Sequence, residues 1–161
     1  MTDEATVPPF ASDDIGTALR RHWESLVADM ETTADEFRAA GWDVLELHPG
    51  DVTVVTESNR GFDVLVPDGE FDRLRDWTDG TSFPNHQVYR SDTDVTFLLL
   101  VLESAAAERA ICCPLYFDEE GEDTLRTLAT EDGVLRTHIR SLAEEFVHFR
   151  HDQPAPFFTE A

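Results

Sequence analysis

The chain has 161 residues, 34 of them acidic against 12 basic, for a net charge of −22 at neutral pH, and 41% are hydrophobic. That length suits one domain with a substantial core, and the hydrophobic content, periodically placed, argues against an acidic disordered chain. Every basic residue other than histidine is arginine, and so dense a carboxylate shell repels itself unless concentrated salt screens it.

Residues 1–11 read as a flexible tail, with Pro8 and Pro9 blocking regular structure and Phe10 tucking in. Ser12 then suits an N-cap, and Asp13 and Asp14 suit a first helical turn. Leu19, Trp23, Leu26, Met30, Thr33 and Phe37 recur at alternating spacings of four and three, which predicts one long amphipathic helix ending at Gly41. Three short β segments follow, over 42–48, 52–57 and 62–66, separated by Pro49-Gly50-Asp51 and Ser58-Asn59-Arg60-Gly61. Such short turns predict a three-strand meander. A short helix opening at Asp68 carries Phe71, Leu74 and Trp77.

The most informative stretch is Val95 to Leu102, VTFLLLVL, in which both alternating sets are apolar. It predicts a central strand covered on both faces. Strands over 87–91 and 109–117 flank it, the latter with Pro114, which places that strand at an edge or a bulge. Cys112 and Cys113 are adjacent in a strand, so they point to opposite faces and remain free thiols. Leu125 and Leu128 mark a helix over 122–130. Leu135, Ile139, Leu142, Phe146 and Phe149, again spaced four and three, predict a further helix from Val134 to Arg150. Phe157 and Phe158, in the proline-broken tail 153–161, dock on the chain's own core or face a partner.

The expected fold is therefore α+β, one domain over 12–152, with a mainly antiparallel sheet of five to six strands. The order is α-βββ-α-βββ-α-α, the long N-terminal helix and the C-terminal helix covering the sheet. This plan resembles type III secretion chaperone-like domains over residues 13–150. The likeness is topological and implies a dimeric protein-binding module. The lysine-free acidic composition, together with the stretch LYFDEEGEDTLRTLATEDGVLRTHIRSLAEEFVHF, also resembles uncharacterised halophilic-archaeal protein families. That likeness transfers no activity. It also makes charge nearly silent about partners, because halophilic surfaces are acidic whatever they bind, so nucleic acid is neither supported nor excluded.

No phosphate-binding glycine loop, GxSxG elbow or CxxC metal motif is present. Two clusters carry residue types suited to chemistry. Glu145, His148 and His151, with Glu144, have metal-ligand side chains, although on a helix their face would be solvated, with no dry shell around an ion. Arg136, His138 and Arg140 could hold an anion, joined by Arg20 and Arg21 if the first and last helices pack together. The competing expectation is ion pairing, for which Arg140 and Glu144 are suitably spaced.

The first fourteen residues lack the basic region and apolar core of a secretory signal, and no apolar run approaches membrane-spanning length, so a cytoplasmic location is expected. The sequence favours a non-enzymatic interaction module, a homodimer or a binder of another protein, with no cofactor. The alternative is a small metal- or anion-dependent enzyme or ligand-binding protein using the C-terminal helix, with a divalent metal as its cofactor.

Overall fold

The computed structural model describes residues 13–92 and 95–158, with side chains from Leu19 onward. The expectations for the tail 1–11, Phe10 and the Ser12 cap lie outside the described residues. Helix α1 runs from Asp13 to Ala39 and is followed by strands β1 (Asp43–Glu46), β2 (Asp51–Val55) and β3 (Gly61–Leu65). Helix α2 (Asp68–Thr78) leads to β4 (Asn85–Asp92), β5 (Thr96–Ser104) and β6 (Arg109–Phe117). Helix α3 (Glu119–Asp132), β7 (Leu135–Arg140), β8 (Phe146–His151) and a short 3-10 turn at Ala155–Phe157 complete the order. No helix among these residues is long and apolar enough to cross a membrane.

The strands form two four-stranded mixed sheets, ordered β1-β6-β5-β4 and β2-β3-β7-β8, which replaces the expected single antiparallel sheet of five to six strands. The parallel pairs are β1 with β6 and β3 with β7; the other pairs are antiparallel. The expected meander fails at its first turn. Strands β2 and β3 form a hairpin, but β1 joins the other sheet beside β6, so the short turn at Pro49 carries the chain from one sheet to the next. A short connection makes pairing convenient without dictating it.

The expected helix from Val134 to Arg150 is also overturned. It is the β7–β8 hairpin, in which Leu135, Thr137 and Ile139 face inward beside His151, Phe149 and Val147. The break occurs at 141–145, where Ser141 N–H donates to the Glu145 carbonyl and Glu144 takes a φ of 60°. Leu142, which completed the apparent helical stripe, is 74% exposed at this turn. The resemblance to secretion chaperones relied on that helix and loses its footing with it.

The layers follow from β5. Phe97 stacks on His22 of α1, and Trp23 of α1 packs edge-on to Tyr116, the cross-strand partner of Phe97. Helix α1 thus covers one face of the first sheet. On the other face Phe117 meets Phe62 of β3, which brings in the second sheet. Thr96 to Leu102 are buried throughout, as their two apolar sets require. Cys112 and Cys113 are free and fully buried, on opposite faces of β6. Pro114 lies past Cys112, the last residue of β6 paired with β1, where its missing N–H leaves no ladder bond unmade on that side. Phe157 is wholly buried between Phe62 and His151, so the C-terminal segment closes on its own core.

Candidate functional site

Alternation along a strand places residues i and i+2 on one face. In the second sheet the inward set includes Val52, Phe62, Val64, Leu135, Thr137, Ile139 and His151, all buried. The outward set is consequently Asp51, Thr53 and Val55 on β2, Gly61, Asp63 and Leu65 on β3, Arg136, His138 and Arg140 on β7, and Phe146, His148 and Arg150 on β8. Helix α1 lies on the far side of the first sheet, against β1, β5 and β6. Thr53, His148 and Arg150 are exposed, and Asp63, Leu65, Arg136, Arg140 and Phe146 are partly so.

The composition of this face departs from the rest of the chain. Three arginines and two histidines stand against two aspartates, within a molecule of net charge −22. Val55, Leu65 and Phe146 supply apolar surface, and the exposed Leu142 adjoins it at the hairpin turn. Arginine and aromatic residues are the types enriched at protein interfaces, where aspartate, glutamate and lysine are depleted.

The three residues Arg136, His138 and Arg140 share this face, but the two guanidinium groups are already matched. Arg136 Nη1 lies 3.2 Å from Asp132 Oδ2, and Arg140 Nε lies 2.8 Å from Asp63 Oδ1, across the β3–β7 ladder. Arg60, in the turn before β3, bonds Glu131 and Asp132, and Arg150 bonds Asp152. Ion pairing, with partners other than Glu144, therefore describes these arginines. Arg20 and Arg21 lie on α1 and do not join them, because two sheets intervene.

His138 is only 4% exposed. Its Nε2–H donates to the Arg60 carbonyl at 3.0 Å, and its Nδ1 stands 2.7 Å from Nδ1 of His148, directly opposite on β8. With the His138 proton on Nε2, His148 donates and His138 accepts. Burial is the main cause holding His138 below the usual imidazole range; the carbonyl bond opposes it, and His148 and Arg136 reinforce it. Phe146 stacks on the His148 ring at 5.6 Å.

The residues Glu145, His148 and His151 are not brought together. His148 points outward, His151 points inward with 1% exposure, and Glu145 sits in the turn bonded to Arg75 at 2.8 Å. Among the described residues no group of three or more His, Cys, Asp and Glu could hold a metal ion. His151 Nε2 instead bonds Thr137 Oγ1 at 2.8 Å, and its ring packs on His86 and Phe157. Beside it, a cavity of about 260 Å³ opens between β8 and the loop before β4, lined by Thr81, Phe83, His86 and Phe149 among others.

The pairing of His138 with His148 escaped the sequence reading. Its signal was the repeat R-x-H-x-R over 136–140 and F-x-H-x-R over 146–150, which alternates as strands do.

Residues 12–159 match the DUF7529 family, described as a family of unknown function. The chain belongs to that family. No curated protein and no solved structure matches it. The family assignment thus covers the whole of the two-sheet arrangement, including the outward face of the second sheet.

Proposed function

We propose that this member of the DUF7529 family is a non-enzymatic interaction module that self-associates through the outward face of its second sheet, in the salt-rich cytoplasm of a halophile. The carrying observation is the contrast between that face and the rest of the molecule. Two copies of a chain at −22 repel each other over most of their surfaces, and the cost is least where arginines and histidines balance the aspartates. The same face offers Phe146, Leu65 and the neighbouring Leu142 for burial. Approach of two like copies therefore favours this surface over the acidic exposed side of α1, which bears Glu24, Asp29, Glu31, Asp35 and Glu36.

An anion-binding role for Arg136 and Arg140 competes with their existing bonds to Asp132 and Asp63. A ligand would have to displace a carboxylate from each. The interaction reading needs no such exchange. Light scattering over a wide protein concentration in roughly 1 M potassium chloride, where the Debye length is about 3 Å, tests it. A mass that rises from one chain to two supports self-association, and a single-chain mass throughout contradicts it.

A further inference from the structure

The outward face holds one arrangement that docking alone does not require. His138 and His148 present Nδ1 to Nδ1 at 2.7 Å across the β7–β8 ladder, and Nε2–H of His138 is held by the Arg60 carbonyl at 3.0 Å. The lone pair of His138 therefore lies on Nδ1 and is directed across the ladder at His148. An imidazole whose one nitrogen donates to a backbone carbonyl while the other is unprotonated is the usual state of an oriented metal ligand. Its orientation is set before any ion arrives.

We propose that the His138–His148 pair is half of a zinc-type divalent metal site, completed by the same pair from a second copy docked on this face. The inference rests on the self-association reading above. Imidazole nitrogen suits zinc, copper and nickel and disfavours magnesium and calcium, which take oxygen ligands. Structural zinc is four-coordinate and tetrahedral, with Zn–N of about 2.0–2.1 Å, which sets neighbouring ligand nitrogens roughly 3.3 Å apart. The rings now meet nitrogen to nitrogen, 2.7 Å apart with centroids 4.9 Å apart, so for both lone pairs to converge on one ion Nδ1 of His148 must swing aside by roughly 2 Å and its proton must move to Nε2. His148, which is exposed, can supply that movement while His138 stays anchored to Arg60.

One copy provides two of the four nitrogens. Asp63 is the cross-strand neighbour of His138 on the same face, but its Oδ1 is bonded to Arg140, and no third ligand completes the site within the described residues. A two-fold related copy supplies the missing two. The guanidinium groups of Arg136 and Arg140 flank the site, and their charges are offset by Asp132 and Asp63, so the ion does not enter an unbalanced positive field.

The test is sedimentation velocity of the full chain in concentrated potassium chloride, with a chelator or with zinc chloride, and elemental analysis of the dimer fraction. The expected result is half an equivalent of zinc per chain and dimerisation tightened at least tenfold by zinc, both effects being lost in His148→Ala, a substitution at an exposed position. Zinc held equally by His148→Ala, or one zinc per chain on a monomer, overturns the shared site. A dimer that persists under chelation and takes up no zinc overturns the metal site and leaves the interaction face standing. A monomer under every condition overturns both.

Discussion

His151 Nε2 lies 2.8 Å from Thr137 Oγ1, and the two side chains, 1% and 0% exposed, face each other inside the β7–β8 hairpin. A hydrogen-bonded polar pair replaces the apolar pair a core usually has here. Burial, reinforced by His86 and His138 and opposed by Asp152, pushes His151 down to about 3. A histidine depressed on folding is neutral in the native state and takes up its proton on unfolding. Stability contributed in this way is intact above the unfolded value near 6.5 and is lost as pH falls from there toward 3. The slope from this group grows as pH falls through 6.5, toward a limit of about 1.4 kcal/mol per pH unit. Chemical denaturation between pH 7 and 5 at fixed high salt measures it, and His151→Gln should flatten the dependence.

At Gly61 the chain takes a φ of +124°, and a Cβ there would meet the Arg136 carbonyl oxygen at 2.2 Å. Both strain and collision act on backbone atoms that cannot step aside. Gly61→Ala should cost about 3 kcal/mol or more, by the combined left-handed and steric penalties. Gly50→Ala, with nothing within 4 Å, is the control and should change the denaturation midpoint little. Equal effects of the two substitutions would contradict the close approach of β3 to β7.

Phe157 is fully buried against Phe62, His86 and His151, whereas Phe158 is partly exposed beneath the Arg126 guanidinium. Removing the first ring leaves a cavity between the sheets, at a typical cost of about 3–5 kcal/mol. Phe158→Ala should cost distinctly less. Thermal melts of the two variants in the same buffer decide the order.

On the other side of the fold, Glu70 holds His48 twice, accepting from its backbone N–H and from Nδ1–H, each at 2.7 Å. The carboxylate raises the imidazole above its ordinary value, chiefly through this hydrogen bond and against a desolvation effect. A raised histidine favours the folded state below its unfolded value, and the benefit is lost as pH rises through the folded one. The His48 ring resonances should therefore titrate above 6.5 in wild type and move down in Glu70→Gln.

The element most legible in the sequence was β5, because two interleaved apolar sets leave no face for water, and the layers on either side follow from it. The β7–β8 hairpin was hidden by its own core. Thr137 and His151 are buried but polar, which breaks the apparent alternation, while the coincidence of Leu135, Ile139, Leu142 and Phe146 imitates a helical stripe. Taken as a helix, the segment offers Arg136, His138 and Arg140 as an anion site and makes His148 and His151 neighbours on one face. Period two sends those two histidines to opposite faces, and pairing β7 with β8 gives His148 a partner ten residues away in the chain.

Self-association through the outward face is tested most directly by sedimentation equilibrium of Phe146→Asp in concentrated potassium chloride. Phe146 is partly exposed on that face, and its ring stacks on His148. Ser25→Asp, exposed on α1 at the opposite side of the molecule, controls for added charge alone. The account predicts a dimer for wild type and Ser25→Asp and a dimer at least tenfold weaker for Phe146→Asp, with the helical and strand signals unchanged in circular dichroism. A Phe146→Asp chain that dimerises as tightly as wild type, or weakening confined to Ser25→Asp, would contradict it.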